Sequence, residues 1–400
     1  MGTPTHIGVG TSLNIPSIEQ TLAGQEMSFE YFIHQIGTWT AIQQIAPGII
    51  VPLLMIVMLT RFFGKKKSIR EGLKIWPYAI FAAFCFIVPY VLVAVLLGPE
   101  FPSIFGGLIG LLIIIPATKA GFLVPKTSWD FPDKKNWEAS WIGSIEPDDN
   151  INDKRMPLWK AWLPYIGIAI LLVATRINAL PFNAWLRSIN FGTINLFDTN
   201  ISTNFAPLYN PGILPFIFIA LLCIPAYGMK KKQVKLAWSE VFRRIKGPAI
   251  ALIFAVPMVR LMMQSGNNPE EWVSMPLAMA RSMSDVFKGA WPLVSPFVGV
   301  LGTFITGSNS VSNMLFTLFQ YSVAEQTEIS RIIVVSLQNV GGALGNMVGV
   351  HNIIAACATV GLTGVEGVLL KRNAIPAIIL SLVAGIVGLV LAYLVVPGLF

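Results

Sequence analysis

The sequence predicts an all-α, polytopic membrane protein, and three observations carry that expectation. Its 400 residues are 54% hydrophobic and only 12% charged, where water-soluble domains average roughly a quarter charged residues. Apolar runs of about 20 residues, enough for a ~30 Å hydrocarbon core, recur between residues 39 and 396. Late in the chain, two neutral, glycine-rich clusters interrupt such runs: residues 306–313 (TGSNSVSN) and 338–352 (QNVGGALGNMVGVHN). Hydrocarbon cannot satisfy exposed backbone groups, so helices broken at membrane depth persist only where they line a protected cavity.

Taken in order, residues 1–40 form an outer segment carrying Glu19, Glu26 and Glu30 but no Lys or Arg. It has no basic start followed by an apolar core, so it is not a signal peptide. Three membrane spans follow within 41–124. The first ends at the Lys65, Lys66 and Lys67 cluster; the second (75–97) and third (104–124) are joined by a tight outer turn at 98–102. Residues 125–157 form a charged cytoplasmic loop.

Region 158–265 holds spans at 158–175, 212–227 and 248–263, with an Asn-rich outer loop at 178–210. Within that loop, residues 180–186 suit the membrane interface. Leu236, Val241 and Ile245 among Lys235, Arg243 and Arg244 predict a basic amphipathic helix on the inner surface, over 234–245. Region 266–400 begins with an interfacial stretch at 269–288. A hairpin over 290–324 turns at Gly307, a helix over 332–365 is broken in its middle, and a final span covers 375–396. The hairpin either re-enters the membrane or crosses it twice; both give the same parity.

The formal charge is +8, yet the cations sit in short runs at the ends of apolar segments, as at Lys230, Lys231 and Lys232 and at Lys371 and Arg372. That is the positive-inside pattern of cytoplasmic loops, whereas a nucleic-acid partner requires one basic, solvated face. Cys85, Cys223 and Cys357 each lie in an apolar run without metal-ligand spacing and read as small core residues. Neither H-E-x-x-H, G-x-S-x-G nor P-loop spacing occurs, so neither an enzyme nor a metal or other cofactor is expected.

Two broken helices close together are the pattern of a secondary transporter's substrate site. In the first cluster, Gly307 supplies the turn and Ser308 the N-cap of the next helix. Ser308 with Ser312, and Asn309 with Asn313, then lie one turn apart around the positive helix end, which suits a small carboxylate, with Ser310 between them. The alternative is a polar turn in water.

In the second cluster, Gly341, Gly345 and Gly349 form a small-residue stripe that packing alone accounts for. Gln338, Asn339, Asn346, His351 and Asn352 are costly in lipid unless they face a cavity or one another. Gly307, Gly341, Gly342 and Gly345 are the helix-break glycines, and Gln338, Asn339 and Asn346 complete the site. His351 is the proton-coupling candidate, because imidazole is the side chain type suited to exchange protons near neutral pH; the alternative is a neutral imidazole bonded within the bundle.

Residues 295–316 (SPFVGVLGTFITGSNSVSNMLF), 337–352 and 355–361 (AACATVG) resemble the L-lactate permease family of bacterial secondary transporters. The resemblance implies symport of L-lactate, glycolate or a related 2-hydroxy monocarboxylate with protons, in a cytoplasmic-membrane, multi-pass protein. It also implies two repeats, each with a hairpin and a broken helix. Some members carry Asp where this chain has Asn309, Lys where it has Asn346, and Pro-Gln where it has Val350 and His351.

Residues 1–6 resemble the middle of the family's first broken helix, so the pattern places a first hairpin upstream or on a partner chain. Three alternatives stay open: a Na⁺-coupled carrier of another organic anion, a partial or structural subunit, and a homo-oligomer.

Overall fold

The computed structural model describes residues 4–126, 129–143, 156–176, 180–189, 193–195, 202–204, 208, 214–362 and 364–400. Two compact units emerge: residues 1–147 with 251–400, and residues 148–250. Among the described residues, seven segments are long and apolar enough to cross a membrane: Ile45–Phe63, Trp76–Leu97, Pro102–Lys119, Leu158–Thr175, Met275–Thr306, Arg331–Cys357 and Glu366–Val395. Leu96, Leu112 and Leu394 point outward, each about three-quarters exposed. Such an apolar exterior suits lipid, not water.

The larger unit starts with a π-helical turn, Pro4–Val9, and two short helices, α1 (Gly10–Leu13) and α2 (Pro16–Ala23). Helix α3 (Phe29–Gln43) is capped by Ser28, whose hydroxyl accepts from the Tyr31 N–H. It is followed by α4 (Ile45–Phe63), α5 (Ile69–Leu73), α6 (Trp76–Leu97) and α7 (Pro102–Lys119). Val9, Leu13, Ile18, Leu22, Phe32 and Ile36 pack with Tyr321, Ile332 and Val335 in one core. Within the stretch expected as an outer segment, 1–40, these six residues therefore join the core, while Glu19, Glu26 and Glu30 are exposed.

In the smaller unit, α8 (Leu158–Arg176) covers the predicted span, and α9 (Pro181–Ser188) is a short helix over most of residues 180–186. Three-residue strands β1 (Thr193–Asn195) and β2 (Ser202–Asn204) pair antiparallel inside the expected loop. Most of that loop, and residues 127–128 and 144–155 of the charged one, lie outside the described residues. Helix α10 (Leu214–Ala226) has only 13 residues, about 20 Å at 1.5 Å per residue. The span expected at 212–227 is thus too short to cross alone.

A second correction concerns residues 234–263. The interfacial helix and the span expected there are one continuous 34-residue helix, α11 (Lys231–Gln264).

The remaining elements are α12 (Met275–Phe287), α13 (Trp291–Thr306), α14 (Asn309–Gln326), α15 (Arg331–Gly345), α16 (Val350–Val360) and α17 (Glu366–Val390). Polar anchors fix the two ends of this unit. At one end, Lys67 Nζ lies 2.8 Å from Glu138 Oε1, and the Arg372 guanidinium stacks 4.3 Å from the Phe62 ring centroid. The Lys67 hydrogen bond holds the Glu138 carboxyl below its ordinary range, and the charges of Lys67 and Arg372 act the same way.

At the other end, Tyr393 Oη donates to the Gly289 carbonyl (2.9 Å). The Phe400 carbonyl accepts from Ser330 Oγ (3.0 Å) and from the Ile332 N–H (3.1 Å). Arg331 pairs with Glu325 (3.2 Å). Both feet of the α13–α14 hairpin and the start of α15 therefore stand at the far end of α17 from Arg372. The hairpin's tip faces His351 at the α15–α16 break: a Cβ on Gly307 would stand 3.0 Å from His351 Cβ.

Candidate functional site

Helix α13 ends at Gly307 in the left-handed region (φ +69°), a conformation that favours glycine. Ser308 then caps α14, its Oγ accepting from the Val311 N–H at 3.4 Å. This local chemistry starts α14 at Asn309, at a point where first-turn N–H groups have no partner within their own helix.

Helix α14 lies against α15, which is buried from Ile332 to Gly342. Between them runs a chain of neutral hydrogen bonds. Trp291 Nε1 donates to Gln320 Oε1 (2.8 Å), and Gln320 Nε2 donates to Gln338 Oε1 (3.0 Å). Gln338 Nε2 donates to Ser312 Oγ (3.2 Å), which itself donates to the Gly299 carbonyl (2.9 Å).

Asn339 is the centre. Its Oδ1 accepts from Asn313 Nδ2 (2.9 Å) and Asn309 Nδ2 (3.2 Å), while its Nδ2 donates to Thr5 Oγ1 (2.9 Å) and Thr40 Oγ1 (3.3 Å). Asn313 Nδ2 also donates to the Pro4 carbonyl at 3.2 Å. Asn309 is 9% exposed, and its Oδ1 has no hydrogen-bond partner. That oxygen points at Gly342, where a Cβ would displace it.

The structure thus brings together Asn309, Ser312, Asn313, Gln338 and Asn339 from the predicted set. Ser308 serves as the cap, and Ser310 meets Gly8 of the π-turn through backbone atoms. Asn346 and His351 are not in this chain. Both are exposed; Asn352 Nδ2 donates to Asn346 Oδ1 (3.1 Å), and His351 sits against the hairpin tip.

The assignment of break glycines is corrected as well. Gly341 and Gly342 lie inside α15 and Gly345 ends it, while the break itself is 346–349. Gly341 meets the Pro296 backbone and Gly345 meets Val300 and Thr303, so these glycines let α13 and α15 touch.

Sequence reasoning missed Thr5, Thr40, Trp291 and Gln320. Each is a single polar or aromatic residue without a cluster around it, and packing alone brings them to the site.

Seven membrane-length segments among the described residues, and a buried polar chain between a hairpin and a broken helix, give the build of a multi-pass secondary transporter. A sequence profile described as L-lactate permease matches residues 1–395. The chain is 30% identical to a putative L-lactate permease of Haemophilus influenzae, over 98% of its own length and 69% of that protein. It is 24% identical to the glycolate permease GlcA of Escherichia coli, covering 96% of this chain and 68% of the relative. For an L-lactate permease of Bacillus subtilis the identity is 24%, covering 81% and 59%. No solved structure matches. The chain belongs to the L-lactate permease family: it is a membrane transporter, not an enzyme.

Proposed function

We propose that this protein carries small 2-hydroxy monocarboxylates, L-lactate or glycolate, across the cytoplasmic membrane with protons. One observation carries the substrate class: the unpartnered Asn309 Oδ1, buried beside the first turn of α14. A hydroxyl on the substrate would donate to that oxygen, and its carboxylate would accept from N–H groups at the positive helix end. Neutral amides suit such a cargo, because among the described residues no buried Lys or Arg holds the anion too tightly for release. The names of the relatives support the same class, lactate for two and glycolate for the third.

The polar chain is closed on itself here, so loading requires α14 to part from α15. The hairpin's two feet at one end and its tip at the α15–α16 break support a re-entrant hairpin, reaching the site from one side.

Uptake of labelled lactate by vesicles holding the full-length protein tests the reading. Asn309→Ala and Asn313→Ala are each expected to lower uptake about tenfold or more, the loss of a buried hydrogen-bonded contact worth about 1–3 kcal/mol. Unchanged uptake in both removes the assigned site. His351, at the hairpin tip, is proposed to influence coupling. His351→Gln is expected to shift the pH dependence of uptake, and an identical profile excludes it.

A further inference from the structure

Another set of titratable side chains abuts the same N-terminal segment. His6 follows Thr5 directly in the π-turn. Its Nε2 is shielded from solvent and stands 2.9 Å from Glu100 Oε1, at ion-pair distance though off the hydrogen-bond axis. The Glu100 side chain is only 10% exposed. Glu100 lies in the turn between α6 and α7, and that turn is docked on α3: Pro99 fills the space a Cβ on Gly37 would need, 2.7 Å away.

His34 on α3 faces the same turn. A Cβ on Gly98 would meet His34 Cδ2 at 3.4 Å and Glu100 Oε2 at 3.6 Å. Burial holds the His34 imidazole below its ordinary range, Glu100 pulls it back up, and charge on His6 pushes it down. Two imidazoles therefore stand beside one carboxylate.

Ser310 and Asn313 of α14 and Asn339 of α15, all uncharged, are further described neighbours of this segment. Glu30, one turn before His34 on α3, is exposed. Among the described residues no three His, Cys, Asp or Glu side chains are grouped to hold a metal ion. The chemistry open to this cluster is proton exchange.

What distinguishes the cluster is its connection. Pro4 and Thr5, the two residues before His6, are acceptors for Asn313 and Asn339. A proton added to the His6 imidazole lone pair would turn its 2.9 Å contact with Glu100 into an ion pair and tighten the hold of the α6–α7 turn on the π-turn. Loss of that proton from the same nitrogen would remove the ion pair. Any shift of this turn would act on the hydrogen bonds that Asn313 and Asn339 donate to it.

We propose that His6, Glu100 and His34 form a proton-binding site coupled to the substrate site through Pro4 and Thr5. The proposal rests on the symport reading above and is separate from any role of His351.

The test uses full-length protein in proteoliposomes, in two modes with labelled lactate. Accumulation is driven by an imposed pH gradient; exchange is measured at equal pH with lactate on both sides. Glu100→Gln and His6→Gln are expected to lower gradient-driven accumulation about tenfold, within the usual range of coupling between sites, while exchange persists. Glu100→Asp, which keeps the charge, should restore part of the accumulation.

Wild-type accumulation in well-folded Glu100→Gln or His6→Gln overturns the proposal. So does an equal loss of exchange and accumulation in protein that stays monodisperse with an unchanged melting temperature. If one variant fails to fold, the other decides. A wild-type protein that exchanges lactate but never responds to the pH gradient overturns the symport reading itself.

Discussion

Replacing Asn339 with Ala is expected to abolish substrate uptake, the largest loss from any single side chain in the polar chain. Its Oδ1 is the common acceptor for Asn309 and Asn313, and its Nδ2 reaches Thr5 and Thr40. Truncation leaves two buried amide donors without that acceptor, at about 1–3 kcal/mol each. Such costs in one network do not add simply, yet one alone corresponds to about fivefold or more in an equilibrium.

Asn339→Asp separates the two halves of this role. A buried carboxyl is pushed toward its neutral form, so it still accepts from Asn309 and Asn313 but offers a single donor where the amide offers two. Its uptake is expected to fall between wild type and Asn339→Ala. Lactate uptake at matched expression, with melting temperature as the folding control, checks both. Uptake by Asn339→Ala equal to wild type would show that the chain is a structural seam and not the substrate site.

The parts of this arrangement readable in the sequence were those with strong local signals. Gly307 followed by Ser308 specifies a left-handed stop and a cap within one dipeptide, and the structure places the hairpin turn there. Asparagines inside an apolar run marked the broken helix equally clearly. Sequence could not rank those asparagines. Asn339 and Asn346 are seven positions apart, about 10 Å along a helix, so one faces α14 while the other lies past the end of α15.

Nor could local pattern find Thr5 and Thr40, because their meeting with Asn339 spans roughly 300 residues of chain and depends on packing alone. The division at residues 247–248 failed for another reason. A Gly-Pro pair is boundary punctuation in soluble proteins, but membrane helices carry both residues more often, and the backbone of α11 stays helical through it.

Gly341→Ala is expected to be the most damaging substitution for the fold. A Cβ there would overlap the Pro296 carbonyl oxygen and come within 2.7 Å of Pro296 C and Cα. These are backbone atoms of α13, so no rotamer change relieves the overlap, and α13 must move away from α15. The same interface places Gly299 against the Gln338 carbonyl. It is also bridged by Thr303 Oγ1 to the Gly342 carbonyl (2.8 Å) and Ser295 Oγ to the Val334 carbonyl (3.1 Å), which separation would stretch.

The expected cost exceeds the usual overpacking range of about 1–3 kcal/mol, because strain and broken hydrogen bonds act together. Gly107→Ala is the matched control: α7 has nothing within 4 Å of that position, and alanine favours helix there by about 1 kcal/mol. Melting curves of both variants in detergent, followed by size-exclusion chromatography, compare them directly. Gly341→Ala should aggregate or melt well below Gly107→Ala; equal melting temperatures would mean that α13 and α15 do not touch through their backbones.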